Sequence, residues 1–178
     1  MAIELEQFAY DAKVLDLQAF IQRHGDAFIV RSSADGQLTS QEWSADETKP
    51  SYMMSTIHAT PRMNYKGDKK STSMFSVYLV RKTHRLRHGI GITVGRKGER
   101  DIVIADTTVS ALHAVIDRKD GEFFMSDKAS RNGTLINSDR LEPGKAVVVP
   151  ESATLQFGRV RMSWMRVAEF LDFVNTMM

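Results

Sequence analysis

Four polar side chains in the middle of the chain have the types and positions needed to bind an anion. Arg96 follows the apolar run GITVG, Ser110 and His113 precede the run AVI, and Asn132 stands in an Asn-Gly turn pair. An anion bound without a metal needs converging donors, such as a guanidinium fork, hydroxyls and loop amides. Because turns tolerate most polar residues, simple solvent exposure is the alternative. The choice depends on whether the fold brings these residues to one surface.

A second chemistry open to these residues is nucleophilic catalysis. Ser110 and His113 could act with Asp127 as a triad, but the sequence has no nucleophile elbow around Ser110. The chain contains no cysteine, which excludes thiolate nucleophiles, thiolate zinc sites and disulfides. No metal-ligand spacing connects the remaining histidines, which are His24, His58, His84 and His88. We therefore expect a protein that is not an enzyme and that uses no cofactor or metal.

The elements that must position these residues are short strands. From Met74 onward, runs rich in β-branched and aromatic residues alternate with turns that contain Gly, Asp or Pro. The pair Asp120-Gly121 is a typical hairpin signal. Many short strands at this spacing predict a mainly β fold, a two-sheet antiparallel β-sandwich. The loops between the strands of a sandwich cluster at its two ends, so a common surface for the polar residues is plausible.

The first 33 residues have a different pattern, helix followed by strand. Apolar residues recur at helical intervals from Leu5 to Ala19, and Asp16 is a candidate N-cap for a second, shorter helix that Gly25 ends. The run AFIVR then predicts a strand, and the apolar stripe predicts a face that docks on the main domain. A last helix is predicted from the spacing of Phe170, Val174 and Met177.

These patterns divide the chain into four regions. We predict an N-terminal helix-strand extension at 1–33, a linker or irregular loop at 34–72, the β-sandwich at 73–167, and a short C-terminal helix at 168–178. The second region is rich in Ser, Thr, Asp and Lys and has little apolar periodicity. Its large apolar residues Trp43, Met53 and Met54 are the exception and favour packing of part of this region against another surface.

The charge is unevenly distributed along the chain. The first 50 residues hold four basic and nine acidic residues, and the remainder holds 20 basic and 13 acidic residues. A basic body favours an anionic ligand, or self-association with the acidic segment. Nucleic acid is a third possible ligand, but it is disfavoured because Tyr78 and Phe124 read as strand residues and not as exposed stacking platforms. The sequence shows no secretory signal and no membrane-spanning run, so we expect a cytoplasmic location.

Three short motifs occur in a family-specific order. "GR", then "SALHA", then "SRNGT" resembles the forkhead-associated (FHA) domain, as found in bacterial-type signalling proteins, and the resemblance extends from about Met74 to Val167. Such domains are two-sheet β-sandwiches that bind phosphothreonine peptides through their loops, and FHA domains are among the Arg-based readers of phosphorylated motifs.

The resemblance assigns roles residue by residue. It implies that Arg96, Ser110 and Arg131 contact the phosphate and that Asn132 holds the backbone of the bound peptide. It implies a structural role in the loops for Gly95, His113 and Gly133. The family often has Arg, Lys or Asn after the first serine, where this chain has Ala111. Auxiliary phosphate contacts are therefore expected at Lys97, Ala111 and Arg100.

The implied function is that of an adaptor in Ser/Thr kinase signalling that binds phosphothreonine peptides. The alternative is a degenerate FHA fold used as a phospho-independent interaction scaffold, which Ala111 favours. Expected partners are a phosphothreonine-containing protein, an upstream Ser/Thr kinase, and the chain's own N-terminal segment through Thr56 or Thr60. A membrane partner is not expected.

Overall fold

The computed structural model describes residues 3–32, 75–83 and 91–177. The predicted linker at 34–72, with Thr56 and Thr60, therefore lies outside the described residues, as do His58, His84 and His88. None of the helices in the described ranges has the length and apolar character needed to cross a bilayer.

The described elements are twelve strands and three helices. They run in the order β1 (Ile3–Glu4), α1 (Glu6–Val14), α2 (Leu17–His24), β2 (Ala27–Ser32), β3 (Phe75–Leu79), β4 (Ile92–Gly95), β5 (Ile102–Val103), β6 (Ala114–Lys119), β7 (Glu122–Asp127), β8 (Thr134–Ile136), β9 (Asp139–Arg140), β10 (Ala146–Val148), β11 (Ser152–Phe157), β12 (Val160–Arg166) and α3 (Val167–Met177).

The strands form two sheets, which confirms the predicted mainly β sandwich. One sheet has the order β1-β3-β2-β12-β11-β8-β9, and the other has the order β10-β7-β6-β4-β5. The pairs described are antiparallel except β4–β5, which is parallel. The predicted hairpin joins β6 to β7, where Asp120 and Gly121 both have positive φ, +53° and +85°. Both central residues of a type I′ turn need positive φ, which explains this Asp-Gly pair.

Two apolar clusters lie on opposite faces of the larger sheet. Along β2, Ala27 and Ile29 face the cluster between the sheets, whereas Phe28 and Val30 face a second cluster under the helices. This alternation follows from the two-residue period of a strand. In the second cluster the Phe28 ring stacks on Phe170 of α3, with centroids 4.0 Å apart. The predicted N-terminal and C-terminal helices thus form a third layer on the outer face of the sheet.

The helix boundaries follow the predicted signals. The Asp16 carboxylate accepts a hydrogen bond from the Ala19 backbone N–H at 2.8 Å and so caps α2. Gly25 ends α2 with φ of +95°, a conformation that favours glycine. The strand β2 that follows lies between β3 and β12 in the larger sheet. The four predicted regions, with boundaries near residues 33, 73 and 167, stay a prediction.

Candidate functional site

Three loops meet at one end of the sandwich. The first loop (residues 96–101) follows β4, the second loop (residues 104–113) precedes β6, and the third loop (residues 128–133) follows β7. Ser110 in the second loop connects the other two. Its carbonyl accepts from the Arg96 backbone N–H at 2.9 Å, and its hydroxyl oxygen accepts from the Arg131 backbone N–H at 3.0 Å. The fold therefore brings Arg96, Ser110, Arg131 and Asn132 to one surface.

The Arg96 side chain is exposed and is fixed at one point. Its Nε donates to the Val109 carbonyl at 3.2 Å. The two Nη nitrogens make no hydrogen bond within the described residues. A guanidinium anchored through Nε keeps two parallel N–H groups on its outer edge, which is the geometry that binds phosphate or carboxylate in a bidentate manner.

His113 lies fully buried behind this surface. Its Nδ1 accepts from the Ser110 backbone N–H at 2.9 Å. Nε2 is 3.0 Å from the Gly133 carbonyl. Because a backbone N–H can only donate, Nδ1 must be unprotonated, so the ring is neutral and Nε2 carries the proton. Burial lowers the pKa of His113 below its ordinary value, and the Gly133 carbonyl and Asp127 oppose this only in part.

The Asp127 carboxylate fixes the third loop through hydrogen bonds. It accepts from the Ser130 backbone N–H at 2.9 Å, from the Ser130 hydroxyl at 2.6 Å and from the Thr134 hydroxyl at 2.6 Å. Burial alone would raise the pKa of Asp127, but the hydrogen bonds from Ser130 and Thr134 outweigh it and hold the pKa below its ordinary value. The loop that carries Arg131 and Asn132 is thus fixed by a buried, ionised carboxylate.

These contacts exclude a catalytic triad built from Ser110, His113 and Asp127. The Ser110 group that meets His113 is the backbone N–H and not the hydroxyl. The two oxygens of Asp127 are used by Ser130 and Thr134. A general base must lie within hydrogen-bond reach of the hydroxyl it deprotonates, and here His113 Nδ1 already accepts from a different donor. Within the described ranges, no group of three or more His, Asp or Glu side chains could hold a metal ion.

Asn132 and Thr108 join the third loop to the second. The Asn132 side chain is exposed, and its Nδ2 donates to the Thr108 carbonyl at 2.7 Å. Asn132 Oδ1 remains as an acceptor that faces away from this bond. Thr108 is in turn held by Asp106, which accepts from the Thr108 hydroxyl at 2.6 Å. This bond lowers the pKa of Asp106 below its ordinary value. Thr108 was not among the predicted site residues, since nothing in its spacing from Ser110 marks it.

Two glycines allow these loops to approach closely. A Cβ at Gly95 would lie 2.5 Å from the Ala111 carbonyl oxygen, so a larger residue there would collide with the backbone of the second loop. Gly133 has φ of +86°, which disfavours any side chain. Its carbonyl accepts from the Gly158 backbone N–H at 3.1 Å, in addition to His113. These contacts favour structural roles for Gly95, His113 and Gly133, which stay a prediction.

The expected auxiliary positions differ in their surroundings. Lys97 is exposed on the first loop, and Ala111 offers only its backbone. The Arg100 side chain is 9% exposed. Its Nε donates to the Ala111 carbonyl at 3.0 Å, and its Nη2 is paired with Glu99 at 3.0 Å. This geometry favours a role for Arg100 in bracing the second loop, and phosphate contacts by these three residues stay a prediction.

The buried carboxylate of Asp101, the last residue of the first loop, is held by hydrogen bonds to two other segments. It accepts from the backbone N–H and hydroxyl of Thr93 on β4, both at 2.8 Å. Its other oxygen accepts from the backbone N–H of Thr83 at 2.7 Å. Asp101 therefore links the first loop to β4 and to the chain after β3, and the site is joined to the rest of the sandwich.

One known domain family matches the segment that contains the three loops. The FHA domain model matches residues 92–158. The oxoglutarate dehydrogenase inhibitor of Corynebacterium diphtheriae is 40% identical over 70 residues, which are 39% of this chain and 47% of that protein. The glycogen accumulation regulator GarA of Mycolicibacterium smegmatis is 36% identical over 70 residues, which are 39% of this chain and 42% of that protein.

The family match covers part of the sandwich. This chain spans about half the length of the curated relatives it matches. A solved structure from a study of phosphothreonine-dependent FHA domain interactions aligns with 55% of this chain and 88% of its own, at 18% identity and a TM-score of 0.42. The matched segment contains the first, second and third loops together with the strands that carry them. Residues 92–158 of this chain match the FHA domain family.

Proposed function

We propose that this protein binds phosphothreonine peptides at the surface of the three loops and acts as an adaptor in Ser/Thr kinase signalling. The observation that carries the proposal is the double contact of Ser110, which accepts from the backbones of Arg96 and Arg131. Three donors of the kind that bind phosphate are thereby held beside one another. They belong to three different loops, so their proximity depends on the fold and not on sequence spacing alone.

The chemistry of these groups suits a phosphate dianion. A phosphothreonine carries close to two negative charges and three acceptor oxygens at neutral pH. The outer edge of the Arg96 guanidinium supplies two parallel donors, since only Nε is used internally. The Ser110 hydroxyl accepts from Arg131, so its own proton remains to be donated. Arg131 itself is exposed in the third loop.

Asn132 has the groups needed to hold a peptide backbone next to the phosphate. One Nδ2 proton is used by the Thr108 carbonyl. The other proton and Oδ1 leave one donor and one acceptor, which is what a single peptide unit requires. The bond to Thr108 also fixes the orientation of the amide, so its donor and acceptor are positioned in advance.

The proposal is tested by titrating phosphothreonine, phosphoserine and unmodified peptide pools against the wild type and Arg96→Ala. We expect binding of the phosphothreonine pool, weakened at least about tenfold by Arg96→Ala, because a hydrogen bond to a charged group contributes about 1.5–3 kcal/mol. Lys119→Ala is the matched control. Lys119 is an exposed cation at the opposite end of β6, beside the hairpin.

Phosphate-independent binding, or no binding by a folded wild type, would contradict the proposal. Phosphate-independent binding of a partner that Arg96→Ala leaves unchanged would instead support the degenerate scaffold, for which the missing cation at Ala111 is the supporting observation.

We further propose that the chain's own segment can occupy this site when Thr56 or Thr60 is phosphorylated. The support is topological. Ser32 at the end of β2 is paired with Phe75 at the start of β3. Ala27 is paired with Arg166 and Val30 with Ser163, so the end of β2 lies towards the start of β12. The turn before β12 contacts the third loop through Gly158 and Gly133. The segment between Ser32 and Phe75 thus leaves and rejoins the sheet at the end that carries the loops.

This partner is tested with chains that carry phosphothreonine in place of Thr56 or of Thr60. A tethered ligand acts at high effective concentration, so we expect either chain to bind an external phosphothreonine peptide less tightly than the unmodified chain does. Adding Arg96→Ala to either modified chain should also abolish binding of its own phosphorylated segment. Undiminished external binding by both modified chains would show that the segment does not reach the site.

A further inference from the structure

Arg140 lies against the third loop at Gly133, which follows the residue proposed to hold the peptide. It belongs to β9, whose described pairing is with β8. A Cβ built at Gly133 would lie 2.6 Å from both Cζ and Nη2 of Arg140 and 2.9 Å from Nε. The guanidinium therefore covers Gly133 in the space that any side chain would fill. Gly133 directly follows Asn132, so this guanidinium is adjacent to the proposed path of the peptide.

The backbone under this guanidinium is fixed. The Gly133 N–H donates to the Ser130 hydroxyl oxygen at 3.0 Å. The Gly133 carbonyl accepts from His113 Nε2 at 3.0 Å and from the Gly158 N–H at 3.1 Å. A planar group that rests on such a segment loses little freedom when it forms a further contact. Its charge is thus presented at a defined place beside Asn132.

The charge of Arg140 is not neutralised by the described residues. Arg140 is exposed, and it forms neither an ion pair nor a side-chain hydrogen bond within those residues. Asp139 precedes it on β9, but successive side chains of a strand point to opposite faces. The buried carboxylate that holds the third loop, Asp127, already accepts three hydrogen bonds. An exposed guanidinium that pairs with none of the described residues is suited to bind a carboxylate.

We propose that Arg140 is a specificity-determining residue that binds the carboxylate of an Asp or Glu beside the phosphothreonine, so that this protein prefers acidic phosphopeptides. The inference rests on the proposed function, because it requires a peptide held at Asn132. It also assigns a separate task to a residue outside the phosphate contacts. Arg96, Ser110 and Arg131 bind the phosphate, whereas Arg140 selects among phosphorylated sequences.

The test is a panel of phosphothreonine peptides in which one residue at a time, from three before to three after the phosphothreonine, is Glu, Gln or Lys. For the wild type we expect at least one position where Glu binds about two- to fivefold more tightly than Gln, the range for one exposed ion pair. Arg140→Gln should remove this preference, and Arg140→Glu should reverse it in favour of Lys. The charge-matched control, Lys119→Glu, should keep the wild-type preference.

Two further measurements distinguish a lost charge contact from a loss of folding. Arg140→Lys keeps the charge and should retain part of the preference, and thermal unfolding of each variant shows that the fold is intact. A Glu preference that persists in folded Arg140→Glu, or no Glu preference at any position while phosphothreonine peptides still bind, would overturn the inference and leave the proposed function standing. Failure of the wild type to bind any phosphothreonine peptide would overturn both.

Discussion

His113 connects the protonation state of one buried ring to the shape of the loop surface. Its Nδ1 accepts the Ser110 N–H, and its other nitrogen donates to Gly133 in the third loop. The ring also packs edge-on against Phe157, with centroids 5.7 Å apart. One neutral side chain thus holds the second and third loops at a fixed separation. Protonation of Nδ1 would remove the acceptor on which Ser110 depends.

This contact predicts a pH dependence of stability. The pKa of His113 is lowered below the ordinary histidine value of 6.5 by burial. The unfolded chain therefore takes up a proton before the folded chain does, and the free energy of unfolding falls as pH decreases from 6.5 towards the folded pKa. Chemical denaturation from pH 7.5 to 5 should show a steeper loss of stability for the wild type than for His113→Gln.

Neither the ionisation of Asp127 nor that of a bound phosphate interferes with this test. The pKa of Asp127 is lowered by hydrogen bonds from Ser130 and Thr134 that outweigh its burial, so its contribution is lost only as pH falls below the ordinary aspartate value of 3.8. Stability is a better readout than peptide affinity, since the phosphate itself titrates near pH 6. Equal slopes for the wild type and His113→Gln would show that the ring is not held neutral.

At the scale of elements, the end of β4 lies against the backbone of the second loop. Gly95 closes β4, and a Cβ there would meet the Ala111 carbonyl oxygen at 2.5 Å. Because Arg100 Nε also donates to this carbonyl at 3.0 Å, the loop has little freedom to move away. The contact therefore transmits any change at the strand end to Ser110.

A matched pair of glycine substitutions tests this packing. Gly95→Ala should lower the free energy of unfolding by about 1–3 kcal/mol, as overpacking does, and should weaken phosphopeptide binding by displacing Ser110. Gly98→Ala in the first loop is the control, because a Cβ there would meet no atom within 4 Å. Urea denaturation and the peptide titration of both variants provide the measurement. Equal stability of the two variants would show that the second loop can yield.

Elements set by neighbouring residues were predictable from the sequence, and those set by distant residues were not. The hairpin at Asp120-Gly121 and the cap at Asp16 depend on two to four adjacent residues, and both were predicted. The place of β2 in the larger sheet was not, because Val30 finds Ser163 as its neighbour far along the chain. Local periodicity shows that a strand forms, but it does not show which strand pairs with it.

The same distinction applies to the candidate site. The order of "GR", "SALHA" and "SRNGT" predicted which residues would meet, and Ser110 does contact both neighbouring loops. The burial of Arg100 against the Ala111 carbonyl was not predicted. An arginine in a polar loop is expected to be exposed, and the sequence does not show which other loop covers it. Arg140 was missed because its relation to Gly133 is one of stacking, for which no sequence pattern exists.

At the scale of the whole molecule, the larger sheet carries two different tasks on its two faces. The inner face builds the sandwich from residues such as Ile29 and Trp164. The outer face holds the helical layer through residues such as Phe28, Met165 and Phe170. Because β2, β3 and β12 each contribute residues to both apolar clusters, the segments on either side of residues 33–74 share one continuous structure with the family-matched segment. The helical layer therefore stabilises the strands that lie beside the loop surface.

The pairing of Ser32 with Phe75 has a consequence for how this architecture can change in length. The two residues are held together by the ladder between β2 and β3, whatever the length of chain that joins them. The entropy cost of closing a loop grows only with the logarithm of its length, about 0.6 kcal/mol for each doubling. Insertions and deletions at this point therefore cost the sheet little, and the fold has there a position where a recognition sequence or a whole additional module can be gained or exchanged.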